Sequence, residues 1–148
     1  MPTVKPPGRK RGPKPEMLRR VGRVESWGGY VYVSADRERS GPVRRSLHGL
    51  KLKGSLNEPV AGVSAFELTV YGDPRAIASE GDPPAIGSWL KVKPVMDGLV
   101  MLTEREFDLL LALAQGDKLV SVGLSFQKPH YGRGLIISSD FSSELLDE

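Results

Sequence analysis

The sequence has no cysteine and few residues that are suited to catalysis. Among its 148 residues there are two histidines and no cysteine, which excludes disulfides, thiolate metal sites and cysteine nucleophiles. His48 and His130 stand far apart, and neither belongs to a metalloprotease, nucleotide-binding or nucleophile-elbow pattern. Carboxylates are plentiful, but their spacing indicates no catalytic pair. We therefore expect a protein that is not an enzyme, with no cofactor and no metal site.

Long apolar runs are also missing. The longest spans residues 109–114, far short of the roughly 20 residues that a membrane-spanning helix needs. The N-terminal residues are basic, but the apolar stretch of a secretory signal peptide does not follow them. These absences predict a soluble intracellular protein, in the cytoplasm, without a membrane partner.

Acidic residues are scarce in the first third of the chain. Residues 1–53 carry 14 basic and 4 acidic residues, whereas residues 54–148 carry 7 basic and 14 acidic ones. Such asymmetry indicates an anionic partner for the first part of the chain. That partner is either a nucleic acid or an acidic protein surface, which includes the acidic body of the same protein; the alternative is a solvated terminus that binds nothing.

Composition divides the chain into three parts. Residues 1–15 contain five prolines and five basic residues but no acid. Proline removes backbone hydrogen-bond donors, and too little of this segment is apolar to be buried. We predict a disordered basic arm over residues 1–20, a single β-rich domain over residues 21–143 and an acidic tail over residues 144–148.

The domain itself carries several strand patterns. Val63–Tyr71 is the clearest, because apolar and polar residues alternate along it. Val24–Ala35 is rich in β-branched and aromatic residues, and its two glycines indicate a bulge or a break. Asp97-Gly98 is a preferred two-residue hairpin turn, so we predict a hairpin there. Residues 119–126 alternate again and should pair with the strand that follows them.

One segment is predicted to be helical. Thr103 and Glu106 form a capping-box pattern, and Gly116 is a typical helix end. Six to eight short strands with a single helix favour an antiparallel β-sandwich or barrel with one inserted α-helix at about residues 103–116.

The arm carries a motif of its own. Gly8–Pro15 reads GRKRGPKP and resembles the AT-hook, a short basic motif that lies in the minor groove of A·T-rich DNA. The core of that family reads Arg-Gly-Arg-Pro, and here Pro13 stands where the family has its second arginine. The resemblance covers about eight residues and implies DNA contact by the arm alone; the globular domain resembles no family we can name.

Two groups of residues are candidates for binding. The first could neutralise phosphates along a basic stripe and comprises Arg9, Lys10, Arg11, Lys14, Arg19, Arg20, Arg23, Arg44 and Arg45, with Lys51 and Lys53 as a further extension. The second is a loop that could bind phosphate, with Lys128, His130, Tyr131 and Arg133. The glycines of that loop equally fit a simple hairpin turn.

The aromatic residues and one pair of lysines also allow two interpretations. Trp27, Tyr30, Tyr32, Tyr71 and Trp89 could stack on the bases of a single strand or could pack in the core. Lys91 and Lys93 alternate with apolar residues, which is typical of a solvated edge strand.

These observations lead to two functional hypotheses. The first is a non-enzymatic binding module that associates with nucleic acid through its basic arm, while the β domain contacts a nucleic-acid strand or a protein partner. The second is a structural or assembly protein, such as a virion or tail component or an adaptor, whose basic arm docks on a neighbouring subunit.

Overall fold

The fold is mainly β with one helix, as the sequence predicts. The computed structural model describes residues 15–77, 80–81 and 83–147. Along this part of the chain follow β1 (Met17–Glu38), β2 (Gly41–Val60), β3 (Val63–Gly72), β4 (Gly87–Lys91), β5 (Met96–Leu102), α1 (Glu104–Gln115), β6 (Ser121–Gln127) and β7 (Gly134–Ser142). The AT-hook-like motif lies outside the described residues. Because β1 begins at Met17, residues 17–20 belong to the sheet rather than to the predicted arm.

All the strands belong to one sheet that closes on itself. Their order is β1-β2-β3-β5-β4-β7-β6, and β1 pairs with β6 to complete the circle. The pairings are antiparallel except between β3 and β5, which run parallel. The sheet is therefore antiparallel, as predicted, except at this one junction. The closed sheet is not a regular barrel, because β1 and β2 are far longer than the strands beside them.

The closed sheet has two different ends. At one, which we call the turn end, lie the start of β1 and the tight connections β2–β3, β4–β5 and β6–β7. At the other, the ribbon end, β1 and β2 continue outward and α1 connects β5 to β6. This division decides which side chains can meet.

The ribbon consists of residues 31–48. The pairing of β1 with β6 ends at Arg23, and that of β2 with β3 ends at His48. Beyond these points, within the described part of the chain, β1 and β2 pair only with each other, as far as Glu38 opposite Gly41. The turn that joins them consists of residues 39–40, and residues 55–60 still belong to β2.

The helix begins as its capping box predicts. The Glu106 amide donates to the Thr103 hydroxyl (3.3 Å), and the Thr103 amide donates to the Glu106 carboxylate (2.9 Å). Phe107, Leu110 and Ala114 are buried at helical spacing, and Gly116 is the C-cap. In the described part of the chain, α1 is not long and apolar enough to cross a membrane, and neither is any other helical segment.

The predicted hairpin turn at Asp97-Gly98 is wrong. Both residues lie inside β5, where Gly98 is opposite Leu68 of β3 and Trp89 of β4. The indole ring of Trp89 lies over Gly98, and a Cβ atom there would approach the ring to 2.6 Å. Packing around a buried tryptophan, not turn geometry, therefore requires this glycine. The connection between β4 and β5 lies at residues 92–95.

The core fills the closed part of the sheet. Trp89 is fully buried and meets Phe126 edge to face, with 5.5 Å between ring centroids. The predicted alternation on β3 is confirmed, since Phe66, Leu68 and Val70 are buried. The core thus lies between the two ends, and Val60 and Val92 extend it to the turn end.

We expect Leu68→Ala to lower the free energy of unfolding by about 2–5 kcal/mol, because it empties part of a fully buried site. Leu109→Ala removes the same atoms from a helix position that is 63 % exposed, and it should change stability by less than about 0.5 kcal/mol. Urea unfolding of both variants measures the difference. Equal losses would contradict the placement of the core.

Candidate nucleic-acid interface

The β6–β7 connection is a tight turn that presents one aromatic side chain to solvent. His130 and Arg133 exchange backbone hydrogen bonds of 2.7 and 3.1 Å, and only Tyr131 and Gly132 lie between them. Both turn residues have positive φ, 53° and 78°, which is the geometry of the favoured two-residue hairpin turn. Tyr131 is 93 % exposed, and its ring touches that of His130. The glycine does supply turn geometry, and the turn in addition holds Tyr131 outward.

An open groove of about 720 Å³ runs past this turn. The β6–β7 turn contributes Lys128, Pro129, Tyr131 and Gly132, the end of β4 and the residues after it contribute Leu90, Lys91, Val92 and Lys93, and the β2–β3 turn contributes Val60 and Ala61. Pairing of β4 with β7, which sets Trp89 opposite Gly134, brings the two lysine-bearing segments together.

The groove is basic. Lys91, Lys93 and Lys128 line it, and none of the described residues that line it is acidic. Among the described residues, Lys91 and Lys93 make no ion pair, while Lys128 pairs with Glu16 at 3.6 Å at the rim. Three ammonium groups beside an exposed aromatic ring favour a ligand that carries both phosphates and stacking bases.

The start of β1 lies at the same end of the sheet. The Lys128 amide donates to the carbonyl oxygen of Glu16 (2.7 Å), so the chain enters the fold beside the groove. Arg9, Lys10, Arg11 and Lys14 precede this point and lie outside the described residues. The most basic segment of the sequence is thus joined to the fold next to its basic groove.

The other predicted cations of β1 do not form one stripe. Arg19 pairs with Asp140 at 2.9 Å, while Arg20 contacts Glu58 at 3.7 Å. Successive residues of a strand point to opposite faces, so Arg19 and Arg20 cannot share a surface, and each is partly neutralised. Arg23 is exposed between Ser55 and Ser121.

Arg44 and Arg45 lie on the ribbon, on opposite faces. Arg45 pairs with Asp36 and Glu38. Arg44 is opposite Ala35 and, within the described residues, makes no ion pair. Arg44 and Arg45 therefore lie at the ribbon end of the sheet, and the groove lies at the turn end.

The aromatic residues divide between core and surface. Trp89 is core, so its proposed stacking role is excluded. Tyr30 and Tyr71 meet edge to face with 6.2 Å between ring centroids, on either side of Gly49. Trp27 and Tyr32 are exposed on the free part of β1. These surface rings lie near the ribbon, away from the basic groove.

The sequence interpretation did not place Lys91 and Lys93 in a candidate site. Alternation alone indicates a solvated strand, and both lysines are indeed exposed. Their place in the groove appears only once β4 is paired with β7, because that pairing sets them beside Lys128 and Tyr131.

Comparison with protein-family models, curated proteins and solved structures gives no match to this chain. Within the described residues, His, Asp and Glu side chains form no group of three that could hold a metal ion. The groove must therefore be judged on its own chemistry.

A second lysine site lies on the outer face of β2 and allows a pH prediction. Lys51 is 2.8 Å from the Glu67 carboxylate; this hydrogen bond lowers the pKa of Glu67 and raises that of Lys51. The stabilisation is present above the unfolded glutamate pKa and is lost as pH falls through the lowered pKa of the folded state.

We therefore expect Lys51→Met to return the pKa of Glu67 toward its ordinary value, as measured by NMR titration of the side-chain carboxyl. Lys53 is a weaker cause of the same shift, so Lys53→Met should have the smaller effect. An unchanged Glu67 pKa in the Lys51 variant would refute the assignment.

Proposed function

We propose that this protein is a non-enzymatic nucleic-acid-binding module that holds a single strand in the groove at its turn end. The observation that carries the proposal is the convergence of Lys91, Lys93 and Lys128 around an exposed Tyr131, with no carboxylate among the lining residues. Lysines contact successive phosphates and release counterions. A base stacks on the tyrosine, which accepts any of the bases.

The position of the basic N-terminal segment supports this assignment. Residues 1–14 carry five basic residues and no acid, and the chain reaches the fold at Glu16, beside Lys128. A strand bound in the groove lies within reach of these cations, which add phosphate contacts without sequence preference. The acidic excess of residues 54–148 opposes non-specific binding elsewhere on the domain.

We expect replacement of the three groove lysines by glutamine to weaken binding of a labelled single strand. The slope of log affinity against log salt should also decrease by about two, since each phosphate contact contributes roughly 0.7 for single strands. Fluorescence anisotropy between about 50 and 200 mM salt, where phosphate contacts are strongly screened, measures both.

The matched control is Arg75→Gln with Arg105→Gln and Lys118→Gln, which removes the same charge from exposed positions at the ribbon end. It should leave the salt slope nearly unchanged. Equal losses of single-strand affinity in the two triple variants would show that binding depends on net charge rather than on the groove, and would refute the proposal. A chain that starts at Pro15 measures the share of residues 1–14 while keeping β1 intact.

We expect Tyr131→Ala to weaken single-strand binding by about 5- to 150-fold, the equivalent of one stacked base at 1–3 kcal/mol. The salt slope should stay the same, because no charge is removed. Tyr131→Phe keeps the ring and should bind like the parent protein. Duplex DNA and RNA of the same length serve as competitors, and a preference for duplex would contradict the stacking role.

The structural or assembly hypothesis is supported by a different observation. Tyr30, Val31, Tyr32, Val33 and Leu47 are exposed on the free part of the β1–β2 hairpin. Apolar side chains on both faces of a projecting ribbon favour a protein contact over a nucleic-acid contact. This candidate uses the ribbon end and leaves the groove free, so the two functions are compatible.

A further inference from the structure

The ribbon carries apolar side chains on both faces, and no other described element pairs with it beyond His48. Val31 is 75 % exposed, and Tyr30, Tyr32 and Val33 beside it are exposed as well. A two-stranded ribbon on its own is marginally stable in water, and a third strand or a packed surface normally supports it. The residues of this ribbon are those of a strand that is covered on at least one side.

The two edges of the ribbon are unequal. The free edge of β2 carries Pro42, Arg44 and Arg45, which are the residues that block pairing with another strand. The free edge of β1 contains no proline, lysine or arginine between Ser26 and Ala35. Open backbone donors and acceptors along this stretch are therefore available to a further strand.

Two recesses of opposite charge flank the base of that edge. One, of about 360 Å³, lies on the outer face, where Lys51 and Lys53 stand beside Gly28. The other, also of about 360 Å³, lies where β1 passes the end of α1, and Glu25, Trp27 and Asp117 line it. The far end of the same edge carries the complementary charges. Asp36 and Glu38 could face the basic recess, and Arg37 could face the acidic one.

We propose that the free edge of β1 pairs antiparallel with the same edge of a second copy of this chain, with Tyr32 on the twofold axis. An axis perpendicular to the sheet maps each face onto itself, so only residues that share a face can be opposite one another. With Tyr32 on the axis, Val31 is opposite Val33, Tyr30 is opposite Ser34, Gly28 is opposite Asp36 and Trp27 is opposite Arg37.

In this register, residues of opposite charge on the second copy come to both recesses at once. Arg37 of the second copy lies over the Trp27 ring, in the recess that Glu25 and Asp117 make acidic. Asp36 and Glu38 of the second copy come beside Gly28 and Ser26, next to Lys51 and Lys53. Gly28 leaves this approach open, because a Cβ atom there would meet nothing within 4 Å.

Neighbouring registers lose this match. With the axis on Val31, Ser34 of the second copy is opposite Gly28. Arg45, which pairs with Ser34 in that copy, then lies in the same cross-strand row as Lys51, so two like charges share the row. With the axis on Val33, Glu38 of the second copy stays beside Lys51, but Arg37 is opposite Gly29, and only Arg39, in the turn beyond the end of β1, comes opposite Trp27. The proposal is independent of nucleic-acid binding, which uses the turn end.

The first test is the oligomeric state of the full-length chain, measured by light scattering after size exclusion without nucleic acid. Two double variants change the same two positions, Val31 and Val33, and differ only in the charges that they introduce. Val31→Lys with Val33→Lys sets like charges opposite each other twice across the axis, and we expect a monomer. Val31→Glu with Val33→Lys sets opposite charges there twice, and we expect a dimer. Circular dichroism verifies that both variants retain the fold.

A second test fixes the register and does not depend on disruptive variants. The chain has no cysteine, so Tyr32→Cys introduces a single thiol with its symmetry mate about 5 Å away. A short thiol cross-linker should convert this variant to a covalent dimer. Tyr30→Cys and Ser34→Cys alone should cross-link poorly, since each thiol is about 13 Å from its mate at 3.3 Å per residue, whereas a mixture of the two should cross-link.

Every outcome bears on the proposal. A monomeric parent chain at all concentrations overturns it, and so does a dimer that both double variants leave intact. A dimer with efficient cross-linking at Tyr30→Cys alone overturns the register. Selective loss of the dimer in the double-lysine variant, together with cross-linking at Tyr32→Cys, supports it. Nucleic-acid binding that persists in the monomeric variant separates this result from the function of the groove.

Discussion

The pairing of β1 with β6 is the constraint on which the rest of the structure depends. It closes the sheet, but β6 is only seven residues long. β1 therefore runs past the first residue of β6 and continues to Glu38. From Ser26 onward, β1 therefore has a partner on one side only. The bulge between Val24 and Ser26 marks the point of departure, since bulges bend a strand and increase its twist. A shorter β1 would produce a compact closed sheet. The length of this one strand creates both the ribbon and its open edge.

The same strand separates two kinds of surface chemistry. At its start, β1 lies beside Lys128 and the tyrosine-bearing turn, next to a groove that three lysines line and that Glu16 approaches only at the rim. At its other end, acidic and basic residues alternate in Asp36-Arg37-Glu38, and Arg45 pairs with both acids. Uniform positive charge suits a polyanion of variable sequence. Alternating charge suits a single complementary register. The two ends of the molecule are thus suited to different partners, and a change at one need not disturb the other.

The sequence predicts most of what is local and little of what depends on distant pairing. The capping box at Thr103 and the alternation of Val63–Tyr71 are confirmed, because each depends on neighbouring residues. Asp97-Gly98 matches the sequence pattern of a hairpin turn, yet the glycine lies in β5 and makes room for the buried ring of Trp89. Lys91 and Lys93 become part of a groove only through the pairing of Trp89 with Gly134, 45 positions along the chain. Turn chemistry around Tyr131 is readable from sequence; the lysines that face it are not.

In the proposed dimer, the geometry of β1 also determines how two grooves can be used. The antiparallel arrangement directs the two turn ends away from each other. With Tyr32 on the axis, the two Met17 residues are about 30 strand positions apart, which is at most about 100 Å at 3.3 Å per residue. A short oligonucleotide cannot span that distance, so each groove binds it independently and without gain from dimerisation. A long strand can enter both grooves, and the second contact then becomes intramolecular. Dimerisation through the ribbon would therefore select for length of the nucleic acid rather than for its sequence, which suits the contacts we propose, to phosphates and one stacked base.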